Sequence, residues 1–79
     1  MNQTILLIDD DPSLRRVTEY NLTSRGFVVL AADSGRQGLE FFKRHDPDLV
    51  VSDVKLGDLN GLDLLETIKA ESADTPVIS

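Results

Sequence analysis

Apolar residues in this chain fall into short runs separated by stretches with helical spacing. Ile5-Leu6-Leu7-Ile8 is a continuous apolar run, the pattern of a strand covered on both faces. Asp11-Pro12 then predicts a helix start, with Asp11 as N-cap and Pro12 at the first helical position. Leu14, Val17 and Leu22 carry that helix to about Arg25, with Asn21 interrupting the apolar stripe. Gly26 is placed to end it in a left-handed conformation. Phe27-Val28-Val29-Leu30-Ala31 reads as a second strand. Ser34 and Gln37 form an S-x-x-Q capping box for a second helix, Gly35 to about Arg44, resting on Leu39 and Phe42 with Phe41 close by. Asp46-Pro47 breaks it. Leu49-Val50-Val51-Ser52 is the third strand, and Lys55 to Asn60 a loop in which Gly57 and Asp58 supply turn chemistry. A third helix is expected from about Gly61 to Glu71, its stripe carried by Leu62, Leu65 and Ile68. Thr75-Pro76 leads into a last strand at Val77-Ile78-Ser79.

Strands therefore start near residues 5, 27, 49 and 77, the spacing of βαβ units and a parallel sheet. The class is α/β, in the order β1α1β2α2β3α3β4. Right-handed crossovers place helices on both faces, and ligands in such folds bind beyond the carboxyl ends of the strands. Two acidic groups lie at such ends: Asp9-Asp10-Asp11 after the first strand and Asp53 after the third. A helix cap needs only one aspartate. Three in a row beside a buried strand carry a repulsion that capping does not explain, and a cation would offset it. The hard, oxygen-preferring Mg²⁺ is the expected ion, held by carboxylates with waters and phosphate oxygens. A carboxylate there can also attack phosphorus and form an aspartyl phosphate.

Composition narrows the alternatives. Seventy-nine residues make one small domain, burying only about 60–65% of its unfolded surface. A net charge of -6 gives no electrostatic reason to bind nucleic acid or an anionic membrane. No cysteine is present, so disulfides and thiolate metal sites are excluded, which fits a cytoplasmic location. Nothing resembles a signal peptide, and no apolar run approaches the roughly 20 residues of a membrane span. Dinucleotide, P-loop and nucleophile-elbow motifs are absent. His45, the one histidine, sits between Arg44 and Asp46 and reads as a helix C-terminal cation rather than a base.

The segments I-L-L-I-D-D-D-P-S-L-R-R, D-L-V-V-S-D-V-K-L-G-D-L-N-G-L-D-L-L and T-P-V-I-S, in this order and spacing, resemble the receiver domain of bacterial two-component response regulators along the whole chain. The resemblance implies a flavodoxin-like doubly wound sheet of strand order 2-1-3-4. It implies Asp53 as phosphoacceptor, taking a phosphoryl group from a sensor histidine kinase, and no enzyme activity. Asp9, Asp10, Asp53 and the backbone carbonyl of Lys55 would bind Mg²⁺. Gly61 matches the glycine that opens the third helix, and Gly57 stands where the family usually has proline. The D-V-K-L-G-D-L-N-G-L-D-L-L stretch looks most like receivers of transcription regulators. A phosphohydrolase that works through an aspartyl phosphate is disfavoured, because Lys55 occupies the place of its second acid.

The family fold has five βα units, so residues 1–79 are expected to form a single receiver domain truncated in its fourth strand. The Ser/Thr that follows that strand falls about two residues beyond Ser79, and the Lys after the fifth strand is missing. An apolar edge at Val77-Ile78 would then favour dimerisation, by edge pairing or exchange of an element. The competing expectation is accordingly a self-associating half-domain that keeps the motif without the switch.

Overall fold

A computed structural model describes residues 2–53, 58 and 61–78. In chain order its elements are β1 (Thr4–Ile8), α1 (Pro12–Ser24), β2 (Val28–Ala32), α2 (Gly35–His45), β3 (Leu49–Ser52), α3 (Gly61–Glu71) and β4 (Val77–Ile78). The strands form one parallel sheet in the order β2-β1-β3-β4, the α/β arrangement expected. The loop expected at Lys55–Asn60 lies outside the described residues except for Asp58, as do Lys55, Gly57 and Ser79. No described helix is long and apolar enough to cross a membrane.

Local chemistry sets the helix ends. Asp11 caps α1: its Oδ1 accepts from the N–H groups of Ser13 (3.0 Å) and Leu14 (3.2 Å). At the other end Gly26 takes φ +93°. The Gly26 N–H donates to the Thr23 carbonyl and the Phe27 N–H to the Leu22 carbonyl, the paired closure that a left-handed glycine permits. Phe27 is thereby spent on closing the helix, so β2 starts at Val28 and not at Phe27 as expected. α2 ends on Asp46, which adopts the left-handed conformation at φ 48° and returns its N–H to the Phe42 carbonyl.

The main core lies between one face of the sheet and the helices α2 and α3. Leu6, Ile8 and Val50 from the sheet, Phe42 from α2, and Leu64 and Ile68 from α3 are buried there, with Ala32 beside them. Leu30, Leu39, Phe41 and Val77 border the cluster. α1 lies against the opposite face, over β1 and β2.

Two expected helix stripes are corrected. In α3 the buried residues are Gly61, Leu64 and Ile68, with Leu65 half-buried, whereas Leu62 is 63% exposed. At about 100° per residue the first four share one arc and Leu62 falls outside it. In α1 no residue is fully buried. Its half-buried residues are Arg15, Thr18, Glu19 and Leu22, one face at spacing i, i+3, i+4, i+7. Leu14 and Val17 are more than half exposed, because they lie on the next face round, together with Asn21.

Gly38 lets α2 approach β1 closely. A Cβ there would stand 2.8 Å from Cγ1 of Ile8 and closer still to its Cδ1. Ile8 is fully buried. Gly38→Ala is therefore expected to destabilise the fold by about 1–3 kcal/mol through overpacking, measured as a lower midpoint in urea-induced unfolding.

Candidate functional site

The register of the central strands builds the site. Ile8 of β1 lies beside Ser52 of β3 and beside Ala32 of β2. One residue further on, the Asp53 N–H donates to the Ile8 carbonyl at 2.9 Å, and the Asp9 N–H to the Ala32 carbonyl at 3.1 Å. Both acids are thus held by backbone hydrogen bonds at the carboxyl edge of the sheet.

Among the described residues, Asp9, Asp10 and Asp53 each offer a carboxylate oxygen to a group whose members lie within 4.8 Å of one another. Asp9 is buried at 7% exposure, Asp53 is half-buried and Asp10 is exposed. The cluster therefore has a covered floor and an open side. Beside it lies a cleft of about 240 Å³ lined by Leu7, Ile8, Leu14, Thr18, Val51 and Ser52 along with Asp9 and Asp53.

The three consecutive aspartates divide their work. Asp11 points away to cap α1. Asp9 Oδ1 accepts from the Asp11 N–H at 2.9 Å, which closes the turn between strand and helix. Asp10 is left to face Asp53. One cation joins them: Arg15 Nη1 donates to the backbone carbonyl of Asp9 at 2.8 Å. Its positive charge is set beside the cluster through a backbone oxygen and not through a carboxylate.

Of the residues singled out from sequence, Asp9, Asp10 and Asp53 are brought together, and the Lys55 carbonyl lies outside the described residues. His45 sits in the exposed last turn of α2, its ring edge-on to Phe41 at 6.1 Å, at the end of the helix remote from the acids. Two residues were not anticipated. Arg15 was one, because a side chain reaching back six residues to a carbonyl leaves no sequence signature. Asp58 was the other. Its two carboxylate oxygens accept from the N–H groups of Gly35 and Arg36, each at 2.9 Å. A count of the donors at the start of α2 would have shown that Ser34 alone could not satisfy them.

The model of the response regulator receiver domain family matches residues 5–79. The transcriptional regulatory protein GlrR of Escherichia coli is 39% identical over 74 residues, which is 94% of this chain and 17% of that protein. The cell cycle transcriptional regulator CtrA of Caulobacter vibrioides is 36% identical over 74 residues, 94% of this chain and 32% of that protein. The chain thus spans between about a sixth and a third of the length of these curated relatives. Among solved structures, a response regulator receiver domain protein from Clostridium thermocellum superposes with a TM-score of 0.92 at 32% identity, over 95% of this chain and 61% of that one. The response regulator TrrA of Thermotoga maritima, solved in complex with Mg²⁺-BeF, gives a TM-score of 0.91 at 27% identity, over 95% and 65% of the two chains.

The split between Asp11 and its two neighbours is open to test. Asp11→Ala removes the acceptor for two helix N–H groups and is expected to cost about 1 kcal/mol of stability. Asp11→Asn keeps the Oδ1 acceptor and is expected to be nearly neutral, both read from thermal or urea unfolding.

Proposed function

The chain belongs to the response regulator receiver domain family, and on that premise we propose that residues 1–79 act as one receiver unit whose Asp53 accepts a phosphoryl group from a sensor histidine kinase. The observation that carries this reading is the gathering of three carboxylates within 4.8 Å at the carboxyl edge of a parallel sheet. The donor set is oxygen only, hard and open on one side, and fits Mg²⁺. Asp9, Asp10 and Asp53 would hold the ion, with the Lys55 backbone carbonyl as a further ligand. When bound, it would neutralise charge on the transferring phosphoryl oxygens.

The chain's own part is positional. Burial of Asp9 and the backbone tie from Asp53 to Ile8 present the Asp53 carboxylate at the rim of the sheet. An Asp53 oxygen attacks the phosphorus of the kinase's phosphohistidine. The O–P bond forms as the N–P bond breaks, and the electron pair leaves on the imidazole nitrogen, which takes up a proton. The acceptor is modified and not regenerated in this step, so the role is that of a switch and not of an enzyme. Relatives named as transcription regulators support a cytoplasmic parent protein with a regulatory output.

Incubation with Mg²⁺ and a small acyl-phosphate donor, followed by intact mass measurement, tests the reading. One phosphoryl group is expected on the wild type, dependent on Mg²⁺ and absent in Asp53→Asn. No uptake by a chain shown to be folded by circular dichroism would overturn it.

A second reading is that the chain self-associates, by edge pairing or exchange of an element, and keeps the acidic motif without the switch. It is favoured by exposed Leu14 and Val17 on α1. Exposed apolar side chains recruit partners. Sedimentation at micromolar concentration is then expected to give a dimer or larger species, and a folded monomer would refute it.

A further inference from the structure

Arg15 stands where the acidic turn meets α1. It is half-buried, and its Nη1 donates to the Asp9 carbonyl at 2.8 Å. Its backbone N–H donates to the Asp11 carbonyl at 2.9 Å, at the start of the helix. The carbonyls of both residues flanking Asp10 are therefore held by one residue. The backbone bond is one that any residue at this position would make. The guanidinium bond is particular to arginine, and its charge makes it stronger than a neutral hydrogen bond.

Asp10 is exposed, and it makes no hydrogen bond of its own among the described residues. Its direction is inherited from its neighbours. Asp9 is fixed by its N–H, which donates to the Ala32 carbonyl, and by its Oδ1, which accepts from the Asp11 N–H at 2.9 Å. Neither bond touches the peptide group that joins Asp9 to Asp10. Arg15 does, through the oxygen of that group. A peptide group is planar, so a hold on its oxygen sets the plane from which the Asp10 side chain departs.

We propose that Arg15 is a positioning residue for the acidic site: its guanidinium fixes the Asp9–Asp10 peptide and so keeps the Asp10 carboxylate in the group with Asp9 and Asp53. The proposal rests on the reading of the acids as a Mg²⁺ and phosphoryl site. Mg²⁺ demands near-ideal octahedral geometry, and a ligand whose backbone is already set binds without a further ordering cost. The charge of Arg15 acts in the opposite direction, because a cation beside the cluster repels Mg²⁺. Loss of the guanidinium thus weakens Mg²⁺ binding if Arg15 acts by position, and tightens it if Arg15 acts by charge alone.

Arg15→Met removes the donors and the charge while keeping a long side chain of similar helix propensity. Arg15→Lys keeps the charge but replaces the planar fork with a point charge on a flexible stem. Arg16→Met removes the same charge from the exposed neighbouring position. Each variant, shown to be folded by circular dichroism, is titrated with Mg²⁺ while the amide resonances of Asp10 and Asp53 are followed, and amide exchange is measured at Asp11. Arg15→Met is expected to exchange faster at Asp11 and to raise the Mg²⁺ midpoint about tenfold, the size typical of supporting residues around a metal. Arg15→Lys is expected between Arg15→Met and the wild type, and Arg16→Met at or below the wild-type midpoint. If Arg15→Met does not fold, Arg15→Lys carries the comparison: a raised midpoint supports the proposal and a wild-type midpoint overturns it. A midpoint unchanged or lowered in Arg15→Met, or raised equally in Arg16→Met, overturns the positioning role alone. A wild type that takes up no Mg²⁺ overturns the functional reading and the positioning role together.

Discussion

The acidic edge depends on the pairing of β1 with β3. Ile8 stands beside Ser52, and the next backbone hydrogen bond, from Asp53 to Ile8, sets the two acidic ends level. The core beneath protects that register. Leu6, Ile8 and Val50 all point into the α2–α3 side, and a slip of one residue would turn a strand's whole apolar set to the other face. Full burial of such a side chain contributes about 1.5–3 kcal/mol. Several of them together hold three like charges in one place against their mutual repulsion. The apolar interior and the polar site are therefore coupled: the site exists because the register does, and the register exists because the strands are apolar.

The two faces of the sheet are not alike. On one side α2 and α3 close over a continuous cluster, drawn in so far that Gly38 meets Ile8 with no room for a methyl group. That contact falls one residue before Asp9, so the close packing of α2 on β1 supports the floor of the acidic group. On the other side α1 presents Arg15, Thr18, Glu19 and Leu22 toward the sheet and leaves Leu14 at the mouth of a cleft beside Asp9 and Asp53. The acids thus stand between a closed half and an open half. The open half gives ligands access, and it also leaves apolar side chains in solvent.

Much of this was legible in the residues. Continuous apolar runs mark β1 and β3 because strands covered on both faces need no alternation. Asp11-Pro12, Ser34 with Gln37, and Gly26 marked helix ends because capping and left-handed closure act within a few residues. Asp9, Asp10 and Asp53 were legible as a cluster once the strands were taken as parallel neighbours. The side of a helix that faces the sheet was harder to read. Leu62 looks as apolar as Leu64, and only the direction in which α3 leaves β3 decides which is buried. Leu14 and Val17 suggested the inner face of α1, yet α1 leans over β1 and β2 in a way that puts Thr18 and Leu22 inward.

By itself, then, the sequence determined the order of the elements, their ends and the identity of the acids, because these follow from interactions between residues close along the chain. The tertiary structure decided what depends on distant partners: which face of each helix is buried, the placing of the Arg15 guanidinium on the Asp9 carbonyl, and the two hydrogen bonds that Asp58 accepts from the start of α2. Such contacts join positions up to 23 residues apart, and no local pattern encodes them, since the free energy that selects them comes from burial and hydrogen bonding across the assembled fold.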